Sequence, residues 1–126
     1  MPTRRQEKVA RVIREVVSDV VANHLSDPRI TGFVSVTRVE VMPDLRNADV
    51  YLSILASTDS ARDRSFAAIT HARPRVQSFL ADALESKFCP VLHFHTDEQF
   101  RKTLEVMKLI DQVASEREKK EAEPPE

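Results

Sequence analysis

A single glycine, Gly32, in a chain of 126 residues narrows the field before any element is assigned. Average usage over this length would give roughly nine. A GxxxxGK[ST] phosphate loop, a GxGxxG dinucleotide turn and a GxSxG nucleophile elbow each need two or more close glycines, so all three are excluded. So is the GxxG loop that clamps nucleotides in ordinary KH domains. Prolines punctuate the chain instead. Pro28, Pro43, Pro74 and Pro90 fall between periodic segments, and Pro124-Pro125 lie near the end. Each lacks a backbone donor and restricts its predecessor, so each marks an element boundary.

Val9, Val12, Ile13, Val16, Val17, Val20 and Val21 recur every three or four residues and predict an amphipathic helix over about 4–24. Its β-branched residues are weak helix formers, so the stripe must pack against a sheet or another helix. Ser26-Asp27-Pro28-Arg29 ends it. Two strands follow: 33–42, with imperfect alternation, and 49–56, with Val50, Leu52 and Ile54 on one face. The short linker between them suits an antiparallel hairpin.

Ser57-Thr58-Asp59-Ser60 offers an N-cap for a helix over about 61–71. A further helix over about 74–87 carries Val76, Phe79, Leu80, Ala83 and Leu84 on one stripe. Between them, Ala72-Arg73-Pro74 predicts a kink, because proline is tolerated in a first helical turn but not in an interior. A third strand over 91–96 sets Leu92 and Phe94 against Val91, His93 and His95. The last helix, 98 to about 115, has Phe100, Leu104, Met107, Ile110 and Val113 on its stripe. Residues 116–126 have no apolar face and are expected to form a disordered charged tail. The order α-β-β-α-(kink)-α-β-α in 1–115 predicts one α+β domain, with helices packed on a three-stranded sheet.

Several classes fall away. No apolar run approaches the roughly 18–20 residues of a membrane span. No secretory leader is expected, since Met1-Pro2-Thr3-Arg4-Arg5 runs into a mixed, charged segment. The lone cysteine, Cys89, cannot form an internal disulfide and fits a reducing, cytoplasmic setting. A catalytic thiol needs an electropositive environment, whereas Cys89 lies between Phe88 and Pro90 and reads as a small, half-buried apolar residue. His93 and His95 share a strand face with Cys89 nearby. These three are too few for a structural zinc set, so the face reads as solvated and no metal is expected. His24 and His71 stand at helix ends, and the carboxylates are spread without a cluster that would do acid–base work. No enzyme and no small-molecule substrate are expected.

Charge distribution is what remains. The net charge is -1, yet residues 1–14 hold Arg4, Arg5, Lys8, Arg11 and Arg14 against one acid, Glu7. Arg4, Lys8 and Arg11 follow helical spacing opposite the valine stripe. A second basic group is Arg62, Arg64, Arg73 and Arg75, the last two flanking the kink. Guanidinium groups match phosphate geometry, whereas one tyrosine and no tryptophan leave little for base stacking. Charge alone does not separate an RNA-binding surface from one that only keeps the chain in solution.

Three stretches together resemble the ribosome-binding factor A family. They are Ser26-Asp27-Pro28-Arg29-Ile30 after an amphipathic helix, Val39-Glu40-Val41-Met42-Pro43-Asp44-Leu45-Arg46-Asn47-Ala48-Asp49-Val50-Tyr51, and Pro90-Val91-Leu92-His93-Phe94-His95-Thr96-Asp97. The resemblance covers about residues 4–113. It implies a KH-like type II domain in which an Ala-x-Gly interhelical kink replaces the GxxG loop. Here Ala72-Arg73-Pro74 corresponds, with Pro74 where the family pattern has glycine.

The resemblance further implies a monomer that binds the small (30S) ribosomal subunit and its 16S rRNA in late maturation. It implies help with 5′-end processing, a link to growth in the cold, no nuclease activity of its own and no cofactor. On that reading Arg4, Arg5, Lys8, Arg11, Arg73 and Arg75 contact rRNA phosphates. The alternative is a non-enzymatic adaptor that docks proteins through the sheet face or an edge strand.

Overall fold

The computed structural model describes residues 2–84 and 89–122. Its first helix, α1 (Arg4–Asn23), opens with a capping box: Thr3 Oγ1 accepts the Gln6 backbone N–H, and Gln6 Oε1 accepts that of Thr3. Ile13, Val17 and Val20 from the stripe are fully buried, with Val9, Val12, Val16 and Val21 packed around them. Full burial of each such side chain contributes about 1.5–3 kcal/mol, which offsets their poor helix propensity.

Strands β1 (Phe33–Val41) and β2 (Asn47–Leu55) pair antiparallel, and β3 (Val91–Thr96) joins β2 in parallel, giving the order β1-β2-β3. Ala48, Val50, Leu52 and Ile54 of β2 point into the core. The imperfect alternation of β1 has a cause: the register shifts between Val36 and Arg38, leaving Thr37 as an extra residue. Its hydroxyl donates to Asp97 Oδ2 at 2.6 Å, and the Arg14 guanidinium donates to the Val36 and Thr37 carbonyls. Further along the same edge, Gln6 Nε2 donates to the Val41 carbonyl at 2.9 Å. Side chains of α1 thus occupy carbonyls that an edge strand would otherwise offer to a partner.

The helices α2 (Asp59–His71) and α3 (Arg73–Leu84) meet at Ala72. Thr58 caps α2, as its position in the sequence suggests. Pro74 sits in the first turn of α3, where its missing N–H costs no helix bond. The expected continuation to residue 87 falls partly on 85–88, outside the described residues. Gln77 ties α3 to β3, its amide donating to the Pro90 carbonyl at 2.9 Å and accepting from the Leu92 N–H at 2.6 Å.

Ser65, fully buried on α2, holds the segment between α1 and β1. Its Oγ accepts the Thr31 N–H at 3.1 Å and donates to the Arg29 carbonyl at 3.0 Å. Ser65→Ala strands both groups, and urea unfolding should show a loss of about 1–3 kcal/mol.

The last helix differs from expectation in two ways. It runs from Glu98 to Ala122, so the segment from Glu116 assigned to a disordered tail is helical to Ala122. Glu, Arg, Lys and Ala are good helix formers, and no proline interrupts them before Pro124. Residues 123–126 lie outside the described residues. Of the α4 stripe, Met107, Ile110 and Val113 are exposed, as are Val106 and Leu109 beside them, while the side chains of Phe100 and Leu104 lie outside the described ones. Among the described residues, the buried helical side chains of the core come from α1, α2 and α3. The element order is compatible with a KH-like type II domain. Among the described residues, no helix is long and apolar enough to cross a membrane.

Candidate nucleic-acid interface

Helices α1 and α3 pack side by side and run in opposite directions. Arg5 and Val9, near the start of α1, share a cavity of about 310 Å³ with Leu84, the last residue of α3. Beyond the other end of α1, the His24 ring lies 4.7 Å from that of Phe79. This polarity decides where the candidate cations fall. Arg4 and Arg5 open α1, with Lys8 and Arg11 following in its first half, while Arg73 and Arg75 open α3. Eleven residues separate Arg73 from Leu84, so at 1.5 Å per residue α3 spans roughly 16 Å between its Arg73 end and the end that faces Arg5. The candidate cations thus fall in two groups, one on the first half of α1 and one at the start of α3.

All six side chains belong to exposed residues. Among the described residues none of them pairs with a carboxylate, in contrast to several other arginines. Arg62 is held by Asp59 at 3.3 Å and Asp63 at 3.6 Å, which removes it from the second basic group. Arg14 is occupied by the β1 carbonyls. Arg29 closes on Asp27, whose carboxylate accepts the Arg29 guanidinium at 2.7 Å and its backbone N–H at 2.9 Å. These bonds hold the Asp27 carboxyl at about 2, below its ordinary 3.8. Because that value is depressed on folding, the stability the corner adds is complete above the unfolded value and vanishes as pH falls through about 2.

One cation escaped the sequence reading. Arg46, in the β1–β2 hairpin, lines the cavity shared by Arg5, Val9, Asp44, Leu45 and Leu84, so the hairpin brings a cation and a carboxylate beside the α1 group. Nothing local in the sequence joins it to Arg5. The pairing exists because α1 crosses the hairpin that begins one end of β2. Leu45 beside it takes a left-handed backbone, φ 59, and packs its side chain against the core.

Arg4 and Arg5 of one group, and Arg73 and Arg75 of the other, sit in the first turns of helices, where the macrodipole is positive and cations are the unfavourable sign. The first turn of α3 contains no acid, and that of α1 contains only Glu7. Local helix energetics do not explain arginines at these positions.

The other candidates resolve into structural contacts. Burial pushes the Cys89 thiol up, away from a reactive thiolate, and Gln77 Nε2 lies 3.5 Å from its sulfur. His93 Nε2 lies 3.0 Å from Asn47 Oδ1 and His95 Nε2 2.9 Å from Asp49 Oδ1, so the two imidazoles engage β2. Among the described residues no three His, Cys, Asp or Glu side chains are grouped to hold a metal ion.

Comparison with known proteins gives one consistent result. The family model described as ribosome-binding factor A matches residues 5–110. A ribosome-binding factor A of Thermomicrobium roseum is 35% identical over 122 residues, covering 97% of this chain and 93% of the relative. One from Neisseria meningitidis is 37% identical over 113 residues, covering 90% and 89%. In solution, a Thermotoga maritima protein described as a putative ribosome binding factor A has the same fold. Its TM-score is 0.66 at 29% identity, with 78% of this chain and 92% of that one covered. With the sequence profile, near-full-length relatives and the fold in agreement, this chain belongs to the ribosome-binding factor A family.

Proposed function

We propose that this chain binds the small ribosomal subunit during late maturation, contacts 16S rRNA phosphates, and assists processing of the 5′ end. The observation that carries this reading is the set of six exposed cations without carboxylate partners among the described residues, in a chain whose net charge is only -1. The family supplies the target. A Thermus thermophilus relative, 22% identical, has been fitted into a cryo-EM map of a 30S complex.

Phosphates spaced along one RNA segment would engage Arg4, Arg5, Lys8, Arg11 and Arg46 in one group and Arg73 and Arg75 in the other. Two groups on different helices impose a geometric condition that a single group does not. Such a protein acts by differential binding: it favours one conformation of immature RNA and leaves when the mature shape no longer presents both contacts. No bond is made or broken by the chain itself. Docking of a protein through β1 is disfavoured, because Gln6 and Arg14 already occupy carbonyls on that edge.

Sedimentation of cell extract through a sucrose gradient tests the reading. The chain should travel with free small subunits and not with intact ribosomes, and should leave them steeply as salt rises. Cofractionation that is indifferent to salt, or absent, would remove it.

A further inference from the structure

The sheet face turned away from the helical layer carries a column of flat side chains across all three strands. Arg38 of β1 is the register partner of Tyr51 of β2, which is in turn the partner of His95 of β3. The Arg38 guanidinium carbon lies 4.1 Å from the centre of the Tyr51 ring. The His95 imidazole stacks on the same ring at 5.1 Å, with 28° between planes. Because β1 and β3 flank β2 on opposite sides, the guanidinium and the imidazole cover opposite faces of the phenol. Both ends of the column are tethered, Arg38 Nε by Glu40 at 3.4 Å and His95 Nε2 by Asp49 at 2.9 Å. Both are also open: the side chains of Arg38 and His95 are 55% and 45% exposed.

We propose that this column is a stacking platform for unpaired bases of single-stranded RNA, which extend it from the outer face of His95 or of Arg38. Guanidinium and aromatic planes both accept a base, and a tethered column has its side-chain freedom largely spent before binding. Composition argues against stacking, with one tyrosine and no tryptophan. The pleat nevertheless aligns a tyrosine, a histidine and an arginine from three distant segments into one surface.

The chemistry of the face favours bases over either phosphate or protein. Glu40 and Asp49 repel phosphate but accept hydrogen bonds from base edges. Asn47 and His93 add an amide and an imidazole alongside. The exposed apolar residues Phe33 and Leu55 pair at the far end of the β1–β2 ladder, away from the column. The inference rests on the reading of the chain as an rRNA-binding factor, and adds a second contact on the opposite face from α1 and α3.

Tyr51 is the only tyrosine and there is no tryptophan, so its emission reports on this column alone. Full-length chain titrated with hexa-adenylate and with hexauridylate should show saturable quenching by at least one of them. The double variant Arg38→Ala/His95→Ala should bind tenfold or more weakly, by anisotropy of the labelled oligonucleotide, with an unchanged melting curve. His95→Phe, which keeps a flat ring, should retain the quenching.

Oligonucleotide binding that leaves Tyr51 emission and the double variant unaffected would overturn the proposal. So would emission that responds to total ribosomal proteins but to neither oligonucleotide, which would assign the face to a protein. Loss of quenching while the chain still travels with small subunits would overturn the platform alone. Loss of both would count against the rRNA reading itself.

Discussion

Replacing Gly32 by alanine should lower stability by about 2–4 kcal/mol, one of the two largest effects expected of this chain. Two independent conflicts meet at this position. The backbone there has φ +80, which an L side chain rarely adopts, and an added Cβ would stand 2.1 Å from the Leu55 carbonyl oxygen. The obstacle is backbone, not the end of a flexible side chain, so relief requires the strand ends to move apart. Phe33 and Leu55 form the adjacent rung of the β1–β2 ladder and would be pulled out of register with each other. At about 3–5 °C per kcal/mol for a domain of this size, a thermal melt followed by circular dichroism should shift down by roughly 10 °C. A melt within 2 °C or so of the parent, on the same scale, would mean that the loop can slide aside freely.

The second large effect separates affinity from stability. Converting Arg4, Arg5, Lys8 and Arg11 together to glutamate should weaken small-subunit binding on the order of a hundredfold or more at moderate salt. The slope of log affinity against log salt should become shallower by about three to four in the alanine version of the same set. Stability should move the other way. Of the four, Arg4 and Arg5 lie in the first turn of α1, where an acid complements the dipole by about 0.3–1 kcal/mol each at low ionic strength, so stability is read on the pair Arg4→Glu/Arg5→Glu. A protein that melts higher and binds worse would identify these side chains as retained for a partner. A lower melting temperature would mean instead that they serve the fold.

Much of the architecture is legible in the residues, and what is not has a physical reason. The valine stripe of α1 and the alternation of β2 announce themselves, because a buried face repeats at the period of its own element. The ragged pattern of β1 could not reveal Thr37 as an inserted residue, since a bulge reads the same as a weak strand until its partner is known. Gln6 looks like any polar residue near a helix start. Its second role, reaching the Val41 carbonyl, depends on a contact 35 positions away.

The two groups of candidate cations were visible in the sequence, but which arginines are already engaged was not: Arg14 is held by β1 carbonyls and Arg62 by Asp59 and Asp63. Those partners lie on the β1 edge and at the start of α2, and the β1 contact spans 22 and 23 positions, which no local pattern encodes. Arg46 was missed for the same reason. Finally, a stripe such as that of α4 says that a helix has an apolar side, not where its cover comes from, and Met107, Ile110 and Val113 of it are exposed.

The placement of Gln6 and Arg14 bears on how the protein behaves in quantity. A nine-residue flank like that of β1, left bare, is a template onto which an identical molecule can zip, rung by rung, toward a fibre. Two long polar side chains reaching down from the neighbouring helix break that template at Val36, Thr37 and Val41, close to its middle and at its end. Self-propagating growth from this side is thereby blocked in the folded molecule, and would have to await detachment of the first helix.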